Sequence, residues 1–309
     1  MKCVVVYFTQ TGNTEKIAKA IQNGITQSGN SCDIIKIQDA NPRRLYEYDL
    51  IGLGSPVIGF VPRNVGTFIS NMRSVGGKHI FAFCTHGTHP ELFFPDIVRK
   101  LKRRELVVIG TRDWYCSVYL SSMPKPYPTD GHPDEIDLQE ATDFGKKMVG
   151  VSKRITAGEK ELIVKTPPWP KDVKKSDLDP AALEPSFPSL LKYHKEKCNY
   201  PKCRLCMDNC PVHGIDLSLK KPVIAQPCIT CEFCTRICPT GALESEEFNE
   251  ILEKLTIKEL TRFYIPPLIK AQEEGHFRPL VPFEKAGTGT PIFRANKHPE
   301  WIIGKGPQV

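Results

Sequence analysis

The sequence predicts an α/β chain of two modules: a doubly wound parallel five-stranded sheet, then a small α+β module built around cysteine. Three observations predict it. Short β-branched runs alternate with amphipathic stretches over residues 1–150, the pattern of βαβ units on a parallel sheet. Eight of the twelve cysteines fall between Cys198 and Cys238. A proline-rich stretch of fading periodicity separates the two regions. The 309 residues therefore divide as 1–150, a strap over 151–195, the cysteine module over 196–245, and a helix and tail over 246–309.

Val4–Phe8 reads as the first strand, since its apolar segment is too short for a signal peptide. A helix follows over about 14–27. Cys32–Ile37 and Asp49–Leu53 read as strands two and three, Ile80–Cys84 as strand four and Leu106–Gly110 as strand five. A last helix is expected over about 136–148. Ligands of such sheets sit at the carboxyl ends of the strands. The first of these ends holds Thr9-Gln10-Thr11-Gly12-Asn13-Thr14, whose hydroxyls and backbone N–H groups suit a dianionic phosphate at a helix N-terminus. No lysine occurs before Lys16 in this turn, so it is not a nucleoside-triphosphate loop. Gly54-Ser55-Pro56-Val57-Ile58-Gly59-Phe60 follows strand three, and Thr85-His86-Gly87-Thr88-His89-Pro90 follows strand four.

Together these loops resemble the flavodoxin family, with its T-x-T-G-x-T phosphate loop and G-S-P-x-x-G-F flavin loop. Gly131-His132-Pro133-Asp134-Glu135-Ile136-Asp137-Leu138, leading into the last helix, is also similar to the family. The resemblance covers residues 1 to about 150 and implies strand order 2-1-3-4-5 with bound FMN. It places Thr9, Thr11, Gly12, Asn13 and Thr14 on the phosphate, with Gln10 in the same cofactor loop. Ser55, Pro56, Val57, Ile58, Gly59 and Phe60 would flank the ring on one side, and Thr85, His86, Gly87, Thr88 and His89 on the other. Gly59 stands where a peptide can turn to meet the flavin. Phe60 supplies one stacking aromatic, and Trp114, Tyr115 and Tyr119 are the candidates for a second. The ring-flanking loops carry His86 and His89 and no carboxylate before Glu91. Neutral or positive surroundings predict a less negative second potential than acidic flavodoxins show; the other reading of both histidines is a surface loop without flavin contact.

The cysteine module reads Cys198-x4-Cys203-x2-Cys206-x3-Cys210-Pro211, then Cys228-x2-Cys231-x2-Cys234-x3-Cys238-Pro239. Eight thiolates are what two [4Fe–4S] clusters need, and in the bacterial two-cluster pattern the fourth cysteine of each run ligates the other cluster. One cluster is then expected on Cys198, Cys203, Cys206 and Cys238, and the other on Cys210, Cys228, Cys231 and Cys234. Zinc explains neither the three-in-a-row spacing nor the proline after each fourth cysteine. The first run departs from the pattern, with four residues between Cys198 and Cys203 where two are usual; Cys198 is still expected to ligate. Residues 196–245 resemble a bacterial-type two-cluster ferredoxin and carry an internal repeat, Cys210-Pro211-Val212-His213-Gly214-Ile215 against Cys238-Pro239-Thr240-Gly241-Ala242-Leu243. A hairpin of Ile215–Leu219 with Pro222–Ala225 joins the halves. Ile229, Phe233 and Ile237 would sheath the clusters.

Between the modules, Trp169, Phe187, Leu190 and Leu191 suit a strap lying along the first domain. A helix is expected over about 246–262, then a tail that packs back through Phe277, Phe283, Phe293 and Trp301. Cys3, Cys32, Cys84 and Cys116 read as small buried hydrophobes. The net charge of +7 is mild. The basic run Arg99-Lys100-Leu101-Lys102-Arg103-Arg104 suits either the last turn of a helix or a docking patch for an acidic redox partner. No stripe of charge with stacking aromatics points to nucleic acid, and no apolar run reaches membrane-spanning length. Thiol-ligated clusters without an export signal point to a reducing, anaerobic cytoplasm.

As a whole, the chain resembles flavodoxin–ferredoxin fusion proteins. The resemblance implies an electron-transfer protein that takes electrons from a soluble ferredoxin or a reductase and delivers them to a partner enzyme. The alternative is an FMN-dependent reductase or dehydrogenase acting on a small organic substrate, with His86, His89 or Tyr119 as the proton donor.

Overall fold

Val4, Val5 and Val6 are consecutive and all fully buried, so the strand that carries them is covered on both faces. That strand, β1 (Lys2–Tyr7), lies at the centre of the N-terminal sheet in a computed structural model of the chain. The structure describes residues 1–58, 60–74, 76–90, 92–118, 125–169, 192–224, 228–229, 231–244 and 260–289. The chain divides into two units, Met1–Ser117 with Gly131–Lys171, and Val118–Asp130 with Asp172–Val309.

In the first unit, β1, β2 (Ser31–Lys36), β3 (Leu50–Pro56), β4 (His79–His86) and β5 (Val107–Tyr115) form a parallel sheet of order β2-β1-β3-β4-β5, as the sequence predicts. Its helices are α1 (Asn13–Gln27), α2 (Arg63–Asn71), α3 (Phe93–Lys102) and α4 (Glu135–Thr156). β5 runs to Tyr115 rather than Gly110, because Ala82 to His86 on β4 pair with Thr111 to Tyr115. α4 starts where a capping box forms between Asp134 and Asp137, and it continues to Thr156. α1 and α4 pack backbone to backbone. A Cβ on Gly24 would fall 1.9 Å from the Thr142 carbonyl oxygen, and one on Gly145 would fall 2.3 Å from that of Ile21. Beneath these helices lies the main core, with Val5, Phe81, Phe83, Trp114 and Phe144.

The basic run closes α3, with Arg99, Lys100 and Lys102 in its last turn. Lys100 pairs with Asp96, and the Arg104 Nε donates to the Ile69 carbonyl. Beyond α4 the chain returns to the same unit. Val164 N donates to the Val108 carbonyl at 2.9 Å, and the Arg99 guanidinium stands 4.9 Å from the Trp169 ring centre. Phe187, Leu190 and Leu191 lie outside the described residues.

The second unit holds two short antiparallel strands, β6 (Lys192–Tyr193) and β7 (Leu243–Glu244), with Tyr193 opposite Leu243. It also contains α5 (Leu205–Asp208), α6 (Phe233–Ile237) and α7 (Ile265–Glu273). Among the described residues the expected hairpin shows one antiparallel bridge, Ile215 to Val223, and Ala225 lies outside them. The segment 118–130 belongs to this unit. Gly287 N donates to the Pro126 carbonyl at 2.9 Å, and Lys125 donates to the Val118 carbonyl at 2.8 Å and pairs with Asp130. The helix expected over 246–262 lies mostly outside the described residues, as do Phe293 and Trp301. Its last residues fall in a π-helical turn, Leu260–Tyr264, that leads into α7. Phe277 is buried, and its ring centre lies 6.4 Å from that of Phe283. No helix among the described residues is long and apolar enough to cross a membrane.

Candidate cofactor sites

α1 opens on Gly12 in the left-handed conformation (φ 86°), and no side chain caps it. The first amides of a helix have no acceptor within it, so this uncapped turn offers donors to an external anion. Gly12 N itself donates to Thr9 Oγ1 at 3.0 Å, which curls the loop, and Lys16 N closes the first turn onto the Gly12 carbonyl. Thr9, Gln10, Thr11 and Gly12 are half-buried, while Asn13 and Thr14 are buried. The positive φ is one that only glycine adopts without strain.

Thr85 ties the loops together. Its hydroxyl lies 2.8 Å from that of Thr14, and its carbonyl accepts from Val57 N at 2.9 Å. The ends of β1, β3 and β4 thus meet at one residue. Ser117, just after β5, adds a fourth strand end: its carbonyl accepts from Asn13 Nδ2 at 3.0 Å, and its hydroxyl donates to the His132 carbonyl. In the loop after β3, Ser55 is fully buried and its hydroxyl donates to the Pro56 carbonyl. Ile58 and Phe60 bond each other's backbone, and the intervening Gly59 lies outside the described residues. Pro56, Val57, Ile58 and Phe60 are half-buried. After β4, Gly87 is half-buried, Thr88 buried and His89 exposed.

His86 is turned inward instead of lining a surface loop. Its Nε2 donates to Asp113 Oδ2 on β5 at 2.8 Å, and its ring meets Tyr115 edge-on at 4.7 Å. Burial alone would raise the Asp113 carboxyl, but the bond from His86 and the cationic groups beside it outweigh burial and hold it below its ordinary value. A carboxylate therefore stands at the end of the sheet, where the two loops on their own supply none. Of the candidate stacking aromatics, Trp114 is consumed by the core, edge-on to Phe83 and Phe144. Tyr115 packs on His86, and Tyr119 lies outside the described residues.

Four of the eight module cysteines share one pocket. It is lined by Cys198, Cys203, Cys206 and Cys238, together with Tyr193, Asn199, Leu217 and Leu243. Burial pushes the Cys206 thiol up to about 12, with Cys238, Cys198 and Cys203 adding to the shift. Burial also pushes Cys234 well above the usual thiol range, and the thiols of Cys231, Cys228, Cys206 and Cys210 beside it add to the shift. Thiols crowded this way are costly as four separate anions and suit a shared cationic centre. The fourth cysteine of each run takes a backbone donor: Gly214 N to Cys210 Sγ at 3.1 Å, and Ala242 N to Cys238 Sγ at 3.1 Å. The internal repeat is thus repeated in its hydrogen bonds. His213 holds a positive φ of 53° where the second half has Gly241 at 64°. Ile237 is fully buried and Phe233 nearly so, packed with Leu205 against Cys203 and Cys231.

The remaining thiols, Cys3, Cys84 and Cys116, are buried, and Cys32 is half-buried. Burial pushes Cys3 up to about 11 and Cys32 up to about 12, so these are inert thiols. Asp113, Ser117 and Tyr193 are the site neighbours that the sequence reading missed. Only Tyr193 left a signal there: it stands five residues before Cys198, as Val223 stands five before Cys228.

A family model described as a flavodoxin domain matches residues 4–100. A flavodoxin of Clostridium beijerinckii is 27% identical over 151 residues, 48% of this chain and 99% of that protein. An uncharacterized ferredoxin of Methanocaldococcus jannaschii is 37% identical over 51 residues, 16% of this chain and 82% of that protein. A ferredoxin of Methanothermococcus thermolithotrophicus is 33% identical over 54 residues, 17% of this chain and 90% of that protein.

Proposed function

This chain belongs to the ferredoxin family through its cysteine module and carries a flavodoxin domain in its N-terminal half, and we propose that it passes electrons between FMN and two [4Fe–4S] clusters. Electron transfer with protein redox partners is the function class that both halves share. The observation that supports the finer proposal is the pocket that brings Cys238 of the second run together with Cys198, Cys203 and Cys206 of the first.

In this reading, the first-turn amides of α1 and the hydroxyls of Thr9, Thr11 and Thr14 bind the FMN phosphate. The left-handed turn at Gly12 lets the backbone approach it. Ser55 to Phe60 and Thr85 to His89 flank the ring, and Thr85 fixes the spacing of the two loops through its bonds to Thr14 and Val57. Cys198, Cys203, Cys206 and Cys238 hold the first cluster; Cys210, Cys228, Cys231 and Cys234 hold the second. The amides of Gly214 and Ala242 stabilise charge on the sulfurs they bond. When bound, FMN supplies a two-electron store and each cluster a one-electron centre. One polypeptide carrying both raises their effective concentration, so internal transfer need not wait for collision.

The donor in this proposal is a soluble ferredoxin or a reductase, and the acceptor is a partner redox enzyme, both in a reducing cytoplasm. The test is anaerobic purification with iron, sulfide and FMN quantification, then EPR during a stepwise redox titration. About eight irons and one FMN per chain, with two interacting reduced-cluster signals, are expected. About four irons, or bound zinc, would overturn the two-cluster assignment.

A further inference from the structure

Folded chains leave few buried polar atoms without a partner, so an orphaned one beside a binding site marks a group that the ligand completes. In the described part of the first unit, such atoms occur on three side chains, Asn64, His86 and Trp114. Trp114 packs in the main core, and Asn64 lies beyond the β3 loop, in α2. His86 alone belongs to the segments expected to flank the flavin ring. Only 6% of it is exposed, and its Nδ1 meets no partner among the described residues.

The rest of the imidazole is fixed. Its Nε2 is held by the Asp113 carboxylate at 2.8 Å, and Tyr115 meets the ring edge-on at 4.7 Å, both from β5. An ionised carboxylate only accepts, so the proton of a neutral imidazole stands on Nε2 and Nδ1 is left as an acceptor. The two nitrogens of an imidazole point away from each other. With Nε2 turned to β5, Nδ1 faces away from it, and the neighbour of β4 on that side is β3, whose loop carries Pro56 to Phe60. Thr85 and His86 are successive residues of one strand. The Thr85 hydroxyl therefore reaches Thr14 in the phosphate turn from one face, while His86 lies on the other. The ribityl chain of FMN separates its phosphate from its ring, so the two ends of one molecule can meet these neighbouring residues on opposite faces.

A buried acceptor selects a donor. The oxidised flavin ring carries one N–H, at N3 between the two carbonyls of its imide edge, whereas its carbonyl oxygens and the bare nitrogens N1 and N5 accept. We propose that His86 Nδ1 accepts a hydrogen bond from flavin N3–H, and that Asp113 is the positioning residue that holds His86 in the tautomer able to do so. His86 then determines specificity, favouring a ring whose imide edge has a donor over one whose imide edge has none. This role rests on the FMN reading given above.

The test uses the full chain with its flavin and clusters in place, and two probes, FMN and N3-methyl-FMN, in which a methyl group replaces the donor. The chain is dialysed anaerobically against equal concentrations of both, and the ratio bound gives the preference; FMN affinity is read from the fluorescence of flavin released on dilution. The native chain is expected to prefer FMN by about tenfold or more, since the methyl group leaves Nδ1 buried and unpaired. In His86→Leu, FMN should bind about tenfold more weakly and the preference should fall to about threefold or less. One glutamine amide can donate to Asp113 and accept from N3–H, so His86→Gln should keep most of the preference. An equal preference in the native chain and His86→Leu overturns the assignment of His86, because other atoms then exclude the methyl group, while the FMN reading stands. A second measurement needs only the native fold. Nitrogen-15 NMR of the histidine-labelled chain should show His86 protonated at Nε2, with an Nδ1 resonance that shifts when N3-methyl-FMN replaces FMN. A proton on Nδ1, or a resonance unmoved by the methyl group, also overturns the assignment. A native chain that binds neither flavin overturns the FMN reading, and the role of His86 falls with it.

Discussion

The Thr14 hydroxyl at the start of α1 and the Thr85 hydroxyl at the end of β4 lie 2.8 Å apart, and both residues are almost wholly buried. This bond joins the phosphate turn to the loop expected on the far side of the flavin. Thr85→Val keeps the shape and leaves the Thr14 hydroxyl buried without its partner, which costs about 1–3 kcal/mol. Part of that penalty falls on the geometry that holds the cofactor. FMN affinity is therefore expected to drop about tenfold, read from flavin fluorescence as apoprotein is titrated. An unchanged affinity would place the phosphate turn and the β4 loop on separate ligands.

Gly12 supplies a second test of the same turn. Its φ of 86° costs an ordinary L-residue about 1–2 kcal/mol. Gly12→Ala should weaken FMN binding and lower the melting temperature of the apoprotein. Gly12→Asn should do less of both, because asparagine tolerates the left-handed region. Equal losses in the two variants would mean that the added Cβ, rather than the backbone conformation, is what the turn rejects.

The parts of this molecule that were legible in the sequence are those in which local chemistry and global fold agree. Val4 to Phe8 followed by a Thr- and Gly-rich turn announces a buried strand feeding a helix N-terminus, and the cysteine spacing announces that Cys238 meets Cys198, Cys203 and Cys206 in one pocket. What was not legible depends on neighbours distant in the chain. Gly24 and Gly145 look like helix weakeners in sequence, and only the close approach of α1 and α4 shows why a side chain has no room there. Trp114 was one of three candidates for a second flavin aromatic, four residues past the expected end of β5 at Gly110. Extension of the strand to Tyr115 carries Trp114 into the core. Asp113 was invisible for the same reason: it reaches His86 only through the register of β4 and β5.

That hydrogen bond makes a prediction about acid. A carboxyl whose folded-state value is held below its ordinary 3.8 adds stability that is fully present above that value. This contribution is lost as the pH falls through the lower, folded-state value. Asp113→Asn removes this dependence. Urea midpoints measured between about pH 6 and pH 3 should therefore converge for the two proteins at the acid end, the native chain being the more stable above about pH 4. Parallel curves across the whole range would show that the carboxylate contributes nothing through His86.

The crossing of the two cysteine runs can be tested without knowing any partner. Cys238 belongs by position to the second run, yet it lines the pocket of Cys198, Cys203 and Cys206. Cys210 belongs to the first run and, like Cys206, neighbours Cys234 together with Cys228 and Cys231. Replacing any one ligand with alanine should cost the cluster it serves and leave the other, so anaerobically prepared variants should retain about half the iron. The surviving EPR signal identifies which centre was lost. Cys203→Ala and Cys238→Ala should leave the same signal, while Cys210→Ala and Cys231→Ala should share the other. If Cys203→Ala matched Cys210→Ala instead, each cluster would be held within one run. The module would then be two separate sites in sequence, not one fold closed by its own ligands.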